Sequence, residues 1–216
     1  YSLGIASVEK GPEEKYQLFR KVVLIDQYVV GVICVCTGVL WHDFIAVWLG
    51  KEYLIGDLLM YSVLLNFMWR VLVSPLAMFR DTNGLFVYVR RMVLVNAGLN
   101  IILSLAMGQV IGVPGVYIAT VIADILTDFW FDARLLYEKL FRRKGFWKYD
   151  LVAFGTCCAN LVFVYLLRQV LDRLGVSILM WVVKGTVAAL SYTLGYVLVC
   201  GRTQVFRDVV NQILLP

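Results

Sequence analysis

Arg70 is the residue of this sequence whose type and position bear most directly on chemistry. It lies in the middle of a long apolar run, at the end of the segment Asn66–Arg70. A guanidinium at that depth of a membrane costs at least a few kcal/mol unless it faces water or a partner. Two interpretations stay open. Arg70, with Asn66 close by, is either a site for the phosphate or acidic sugar of a substrate, or half of an ion pair that only positions helices.

The acidic candidates are Asp26, about one turn inside the first span, and three carboxylates further along the chain. Asp124, Asp128 and Asp132 are spaced four residues apart and so share one face of a helix. Such a stripe would pair with Arg70 or carry a proton or a sodium ion. Asp132 falls at the cytoplasmic end of its span and Asp128 one turn deeper, so only Asp124 lies clearly within the hydrocarbon. Asp124 therefore joins Arg70 and Asn66 as a candidate substrate-binding residue.

Other polar residues inside apolar runs have simpler interpretations. Lys184 lies about two turns into its span, and its long stem is expected to snorkel towards the outer face. Asn96, Asn100 and Ser104 form a stripe of the kind that joins neighbouring helices. His42 stands at the outer end of the first span, where a lone histidine is typical of the interface.

The sequence contains no motif for catalysis or for a resident cofactor. A nucleophile elbow, a phosphate-binding loop and an H-E-x-x-H pattern are all missing. Cys34 and Cys36 form a C-x-C, but no histidine or second cysteine pair stands nearby to complete a metal site. We therefore expect a protein that is not an enzyme and has no cofactor, and coupling to H⁺ or Na⁺ stays open.

The elements that must position these residues are membrane spans. The chain is 61% hydrophobic and 16% charged, with a mean hydropathy of +0.80, whereas a soluble domain has about half apolar and roughly a quarter charged residues. Long apolar runs without a period-two pattern predict an all-α integral membrane protein. The six predicted spans are about 22–49, 54–79, 86–107, 115–131, 151–171 and 178–200.

The basic residues predict the orientation of these spans. Loops rich in Lys and Arg alternate with loops that hold only Lys51, Arg168 and Arg173, which places both ends of the chain in the cytoplasm. The net charge of +5 then reflects membrane topology and interactions with lipids rather than nucleic acid, which is not an expected partner. Residues 137–149 form a basic cytoplasmic loop, and residues 202–216 a tail predicted to lie on the surface as an amphipathic helix.

Four segments resemble those of bacterial polysaccharide flippases, in the same order along the chain. The first 135 or so residues contain all four, which are Phe44–Leu54, Phe79–Phe86, Asn96–Ser104 and Ile111–Thr120. The stretch from Ser2–Ala6 to Phe19–Lys21 is similar to the loop that enters this region in the family. From Leu151 onward only the hydropathy is similar.

The resemblance implies the superfamily of multidrug and toxin extruders, lipid II flippases and oligosaccharide-lipid flippases. Its members have two pseudo-symmetric six-helix lobes around a central cavity, and some add two C-terminal helices. Residues 1–136 would then be the last four helices of the second lobe, and residues 150–201 the two added helices. Because the chain begins with Tyr1 rather than Met, we expect it to be a C-terminal fragment whose partner is the missing N-terminal lobe.

The activity implied by the resemblance is export of undecaprenyl-diphosphate-linked oligosaccharide across the inner membrane by alternating access. It would serve the assembly of capsule, exopolysaccharide or O-antigen. A cation-coupled drug or toxin exporter of the same superfamily is the main alternative. A membrane enzyme of polysaccharide assembly is a weaker one, because every predicted outer loop is short, and a purely structural membrane subunit also stays open.

Overall fold

The computed structural model describes residues 7–175 and 177–214, with side chains as far as residue 211. Ser2–Ala6, one of the segments of the resemblance, lies outside these residues. A 3₁₀ turn at Lys51–Tyr53 and a π-helical turn at Leu136–Leu140 accompany the α-helices of this part of the chain. These are α1 (Pro12–Trp48), α2 (Asp57–Thr82), α3 (Phe86–Ile111), α4 (Val113–Leu126), α5 (Asp128–Leu135), α6 (Trp147–Leu171), α7 (Ile178–Cys200) and α8 (Gln204–Leu214).

Six helical stretches are long and apolar enough to cross a membrane, which confirms the predicted all-α membrane fold. They are α1, α2, α3, the stretch Val113–Leu140, α6 and α7. α3 is almost uncovered by the rest of the chain and presents large apolar side chains such as Leu94, Ile102 and Val110 to its surroundings. A lipid environment accommodates such a helix, because its backbone groups are satisfied internally.

α1 is the central helix, with α2, α6, α7 and α8 packed around it. It begins at Pro12, ten residues before the predicted start of its span at residue 22, because proline suits the first position of a helix. Its 37 residues extend about 55 Å, well beyond the roughly 30 Å of hydrocarbon. The additional turns carry Phe19 to a buried contact with Phe79, with ring centroids 5.4 Å apart.

Glycines on α1 allow the two C-terminal spans to approach closely. A Cβ atom on Gly31 would overlap the hydroxyl group of Tyr192 on α7, and one on Gly38 would lie 2.5 Å from a methyl group of Val164 on α6. Small residues at helix contacts let backbones come close where no hydrophobic driving force exists between helices in lipid. α6 and α7 are therefore held by α1.

The fourth span is broken. Thr127 has φ −126° and ψ −89°, which ends α4 and starts α5 at Asp128. The predicted span 115–131 treated this region as one helix. Helical structure then continues to Leu140, so the segment between helices is shorter than the predicted basic loop 137–149.

A buried ion pair fastens α7 to α1. Lys184 Nζ lies 2.6 Å from Asp43 Oδ2, and the lysine side chain is 1% exposed. The prediction that Lys184 snorkels towards the outer face is therefore wrong. Its stem points inward, because a carboxylate on α1 is within reach and an unpaired charge in hydrocarbon is costly.

A second polar group ties α6 to α1 and α2 near the same end of the molecule. Arg168 lies 2.8 Å from Asp57 Oδ1, and its Nη2 lies 2.7 Å from His42 Nδ1. His42 Nε2 lies 3.0 Å from the Ile55 carbonyl oxygen. Arg168, which the sequence placed in an outer loop, is thus a buried part of the helix bundle, and His42 is a connector between helices.

Replacing Lys184 by Met is expected to lower the free energy of unfolding by about 3–5 kcal/mol, because Asp43 stays buried without its partner. The double variant Lys184→Met/Asp43→Leu should recover most of that loss. Thermal denaturation of the purified protein in detergent measures both effects. A double variant no more stable than Lys184→Met would show that the ion pair is not the cause.

Candidate functional site

The exposed face of α2 forms the floor of a groove between α1 and α4. On one side, Ser74 Oγ donates to Asp26 Oδ2 of α1 at 3.5 Å. On the other, Asn66 Nδ2 donates to the Tyr117 carbonyl oxygen of α4 at 3.3 Å. α6 covers the back of α2, where the Tyr149 hydroxyl donates to a carbonyl oxygen of the helix at 2.6 Å. We call this open face the front groove.

Arg70 lies on the floor of the front groove. It is one helical turn from both Asn66 and Ser74, on the face that neither α1 nor α6 covers. Its side chain is exposed, and no described residue forms a hydrogen bond or an ion pair with its guanidinium. The sequence left open whether Arg70 binds a substrate or forms an internal ion pair. No carboxylate among the described residues forms that ion pair.

Asn66 and Arg70 lie on α2, and Asp124 lies on α4 beside that helix, where it lines a cavity with Trp69 and Val73. α2 and the α4–α5 stretch run in parallel, because Asn66 meets Tyr117 and Arg80 meets Asp132 at sequence offsets of 51 and 52. The same offset places Asp124 level with residues 72–73 of α2. Asp124 is therefore about one turn closer than Arg70 to the end of α2 that carries Arg80.

The carboxylate stripe is held by residues other than Arg70. Asn96 of α3 donates from Nδ2 to Asp124 Oδ1 at 2.9 Å and to Asp128 Oδ2 at 2.8 Å. Arg80 Nη1 lies 2.5 Å from Asp132 Oδ2. One amide thus spans the break at Thr127, and one guanidinium holds the helix that follows it.

Negative charge exceeds positive charge around this stripe. Arg80 also binds Asp81 at 2.8 Å. One guanidinium therefore pairs with two carboxylates, and the carboxylates of Asp124 and Asp128 line the same cavity. Asp128 Oδ1 and Asp132 Oδ1 are buried and have no hydrogen-bond partner among the described residues. A cavity of about 180 Å³ lies between the stripe and α2. Carboxylates within a membrane span call for neutralising partners, such as water, a proton or a cation.

Metal binding finds less support in this part of the chain. Among the described residues, no group of three or more His, Cys, Asp or Glu side chains has an arrangement suited to a metal ion. The amide of Asn96 uses its nitrogen, a donor, towards the two carboxylates. The carboxylate stripe is therefore arranged as a hydrogen-bonded network.

Sequence reasoning missed the roles of Arg80 and Asn96. The predicted span 54–79 ends one residue before Arg80, whereas the structure makes Arg80 a half-buried part of α2. Asn96 was read as a residue joining helices, which it does, but its partners are the carboxylates themselves. The available signal was that Arg80 and Asp132 both fall near the cytoplasmic ends of predicted spans, at the same depth.

Comparison with known protein families, curated proteins and solved structures gives no match to this chain. The resemblance to polysaccharide flippases therefore remains a prediction from a few short segments.

Replacing Asn96 by Ala is expected to lower the free energy of unfolding by about 2–4 kcal/mol, since two hydrogen bonds to carboxylates are lost at a buried position. The matched control is Asn100→Ala, one turn along the same helix, where the amide binds only Ser104 of its own helix. That change should cost under about 1 kcal/mol. Thermal denaturation in detergent compares the two, and equal losses would contradict the bridging role of Asn96.

Proposed function

We propose that this chain is the C-terminal part of a cell-membrane exporter that flips undecaprenyl-diphosphate-linked oligosaccharide by alternating access. The observation that carries the proposal is the unpaired guanidinium of Arg70 on the floor of the front groove. The four segments that resemble polysaccharide flippases support it independently. The export would supply repeat units for capsule, exopolysaccharide or O-antigen.

Arg70 suits a diphosphate because of its depth and its freedom from other partners. It stands 12–13 residues from either end of α2, about 18–20 Å along the helix, and so near the middle of the membrane. A cation there must be met by water, by an anion or by further protein. Guanidinium groups bind phosphate oxygens in a bidentate manner, which provides both affinity and orientation.

We infer that the front groove faces the missing N-terminal lobe. Asn66, Arg70, Ser74 and Asp26 are polar and lie on a side of the bundle that no described element covers. Lipid is a poor solvent for such a surface, whereas a water-filled cavity between two lobes suits it. The opposite side of α2 is packed against α6 and carries apolar residues such as Met68.

The broken fourth span supplies a place where the bundle can change conformation. Interrupted spans in transporters often lie beside the binding site, where they bend between inward-open and outward-open states. Here Asn96 bridges the break at Thr127 through its contacts with Asp124 and Asp128, and Trp130 Nε1 donates to the Leu126 carbonyl oxygen across the same break. Protonation of either carboxylate would weaken this bridge, which gives a physical route for coupling to a proton gradient.

A second candidate is a cation-coupled drug or toxin exporter. The two buried, unpartnered carboxylate oxygens of Asp128 and Asp132 favour it, because a cationic substrate or a coupling proton would neutralise them. Under this alternative the stripe is the principal site and Arg70 is not essential. Under the flippase proposal Arg70 contacts the substrate and the stripe serves coupling.

The proposed orientation puts the end carrying Arg142, Arg143 and Lys144 in the cytoplasm and the 3₁₀ turn Lys51–Tyr53 outside. In a variant without reactive native cysteines, Glu52→Cys should react with a membrane-impermeant maleimide in intact cells. Lys144→Cys should react only after permeabilisation, although both side chains are exposed. The opposite labelling pattern would overturn the orientation.

In the full-length protein, Arg70→Ala is expected to reduce export at least tenfold, because about 1.5–3 kcal/mol of charged hydrogen bonding to phosphate is lost. Arg70→Lys should retain part of the activity. Accumulation of lipid-linked repeat units on the cytoplasmic leaflet of a complemented deletion strain is the measurement. Arg91→Ala, which removes an exposed cation from α3, is the matched control.

The same strains separate the two candidate functions. Normal glycan export by the Arg70→Ala protein, present at an unchanged level, would exclude a substrate role for Arg70 and overturn the flippase proposal in this form. Loss of drug efflux in an Asp128→Asn protein, with glycan export intact, would favour the second candidate.

A further inference from the structure

Two basic side chains line a cavity away from the front groove. Arg20 of α1 and Lys148 of α6 stand at the rim of a space of about 350 Å³. Both are exposed, and neither pairs with a carboxylate among the described side chains. They lie instead over aromatic rings, Arg20 at 5.8 Å from the centroid of Tyr16 and Lys148 at 5.7 Å from that of Trp147. Their positive charge is available to a ligand.

The position of these two residues matches the level of lipid headgroups. Arg20 precedes the predicted span 22–49, and Lys148 precedes the span 151–171. Both cations therefore stand at the same face of the membrane, two and three residues before the predicted starts of their spans. α8 closes the cavity on the membrane surface, where Val205 contributes to its wall and Val209 is buried. Basic pockets between spans at the cytoplasmic face are typical sites for anionic lipid headgroups.

An apolar cleft continues from this cavity into the membrane. The cleft measures about 360 Å³ and shares Gln27, Val152 and Cys200 with the basic cavity. It runs between α6 and α7, from the level of Val152 to that of Phe163, or about 17 Å. α6 and α7 each pack on α1, and the gap between them is open on the side away from α1.

We propose that an anionic phospholipid of the cytoplasmic leaflet occupies this place. Its phosphate is bound by Arg20 and Lys148, and one acyl chain fills the cleft between α6 and α7. The charge of the rim and the apolar walls below it match the two halves of such a lipid. Asp208 of α8 lines a neighbouring cavity together with Arg20 and Lys21. Because Arg20, Lys21 and Lys148 outnumber this one carboxylate, the net charge of these four side chains is positive.

A phospholipid fits this place better than the transported molecule does. Arg20 projects about 120° around α1 from Asp26, which faces the front groove. The cleft therefore opens sideways to the bilayer and is separated from the front groove by α1 and α2. The proposal depends on the membrane fold and on the proposed orientation, and it does not rest on the proposed transport function.

Binding of phosphatidylglycerol to the purified full-length protein tests the headgroup contacts. Mass spectrometry of the intact protein in detergent counts the bound lipid across a titration, with phosphatidylcholine as the zwitterionic comparison. Arg20→Gln/Lys148→Gln should weaken phosphatidylglycerol binding roughly tenfold or more. The control is Arg142→Gln/Lys144→Gln, an equal loss of charge on exposed residues of the same face, and it should change binding by less than about twofold.

A second variant tests the acyl-chain cleft. Gly195 lines the cleft, and no atom lies within 4 Å of where its Cβ would stand. Gly195→Leu should therefore fold normally while blocking the cleft, so that long-chain phosphatidylglycerol binds more weakly and a short-chain analogue binds as before. Gly98→Leu on α3, which also has open space around its Cβ position, is the matched control.

Three results would overturn the proposal. The first is equal binding of the two lipid classes. The second is equal weakening by the Arg20/Lys148 and Arg142/Lys144 double variants. The third is that Arg20→Gln/Lys148→Gln weakens binding of undecaprenyl phosphate but not of phosphatidylglycerol. That result would assign the cavity and cleft to a transported lipid.

Discussion

Charged side chains persist in the hydrocarbon of a membrane only when they are paired or solvated, and the arrangement of this helix bundle depends on that constraint. Lys184 is paired with Asp43, Arg168 with Asp57, and Arg80 with Asp132. Each pair joins helices that are distant in sequence, so the pairs also fasten α7, α6 and α5 to the bundle. Arg70, near the middle of α2, has no such pair among the described residues, and it therefore marks a side of the bundle that needs water, an anion or more protein.

α1 divides the molecule into two sides with different chemistry. Towards Asp26, the helix borders the polar front groove, where an unpaired cation and a row of carboxylates lie along α2 and α4. Towards Gln27, it forms the floor of a cleft between α6 and α7 that is largely apolar and ends at two basic residues. These two residues are neighbours in sequence, but 100° per residue around a helix is enough to place them in different environments. One helix thus borders both a polar groove and a largely apolar cleft.

At the break at Thr127, a small number of side-chain hydrogen bonds hold α4 and α5 in their relative positions. An interrupted helix leaves backbone groups without their regular partners, and the side chains around it have to hold the two halves together. Asn96 does so by donating both protons of one amide to carboxylates on either side of the break. Because carboxylates change their hydrogen bonding when protonated, this bridge depends on their charge state.

Hydropathy and charge alone determined that this chain is a bundle of six spans, because lipid imposes length and composition on each span regardless of its neighbours. They also identified Arg70, Asp124 and Lys184 as unusual, since a charged residue within an apolar run can be recognised from the sequence alone.

The sequence did not determine which charged side chains pair with one another. Lys184 finds Asp43 across 141 positions and Arg80 finds Asp132 across 52, and such pairs depend on how the helices are rotated and shifted against one another. The same is true of the break at Thr127, where the contacts of Asn96 on another helix accompany an irregular backbone. Only the tertiary structure decided that Arg70 has no partner among the described residues, and that property makes it the strongest candidate for contact with a substrate.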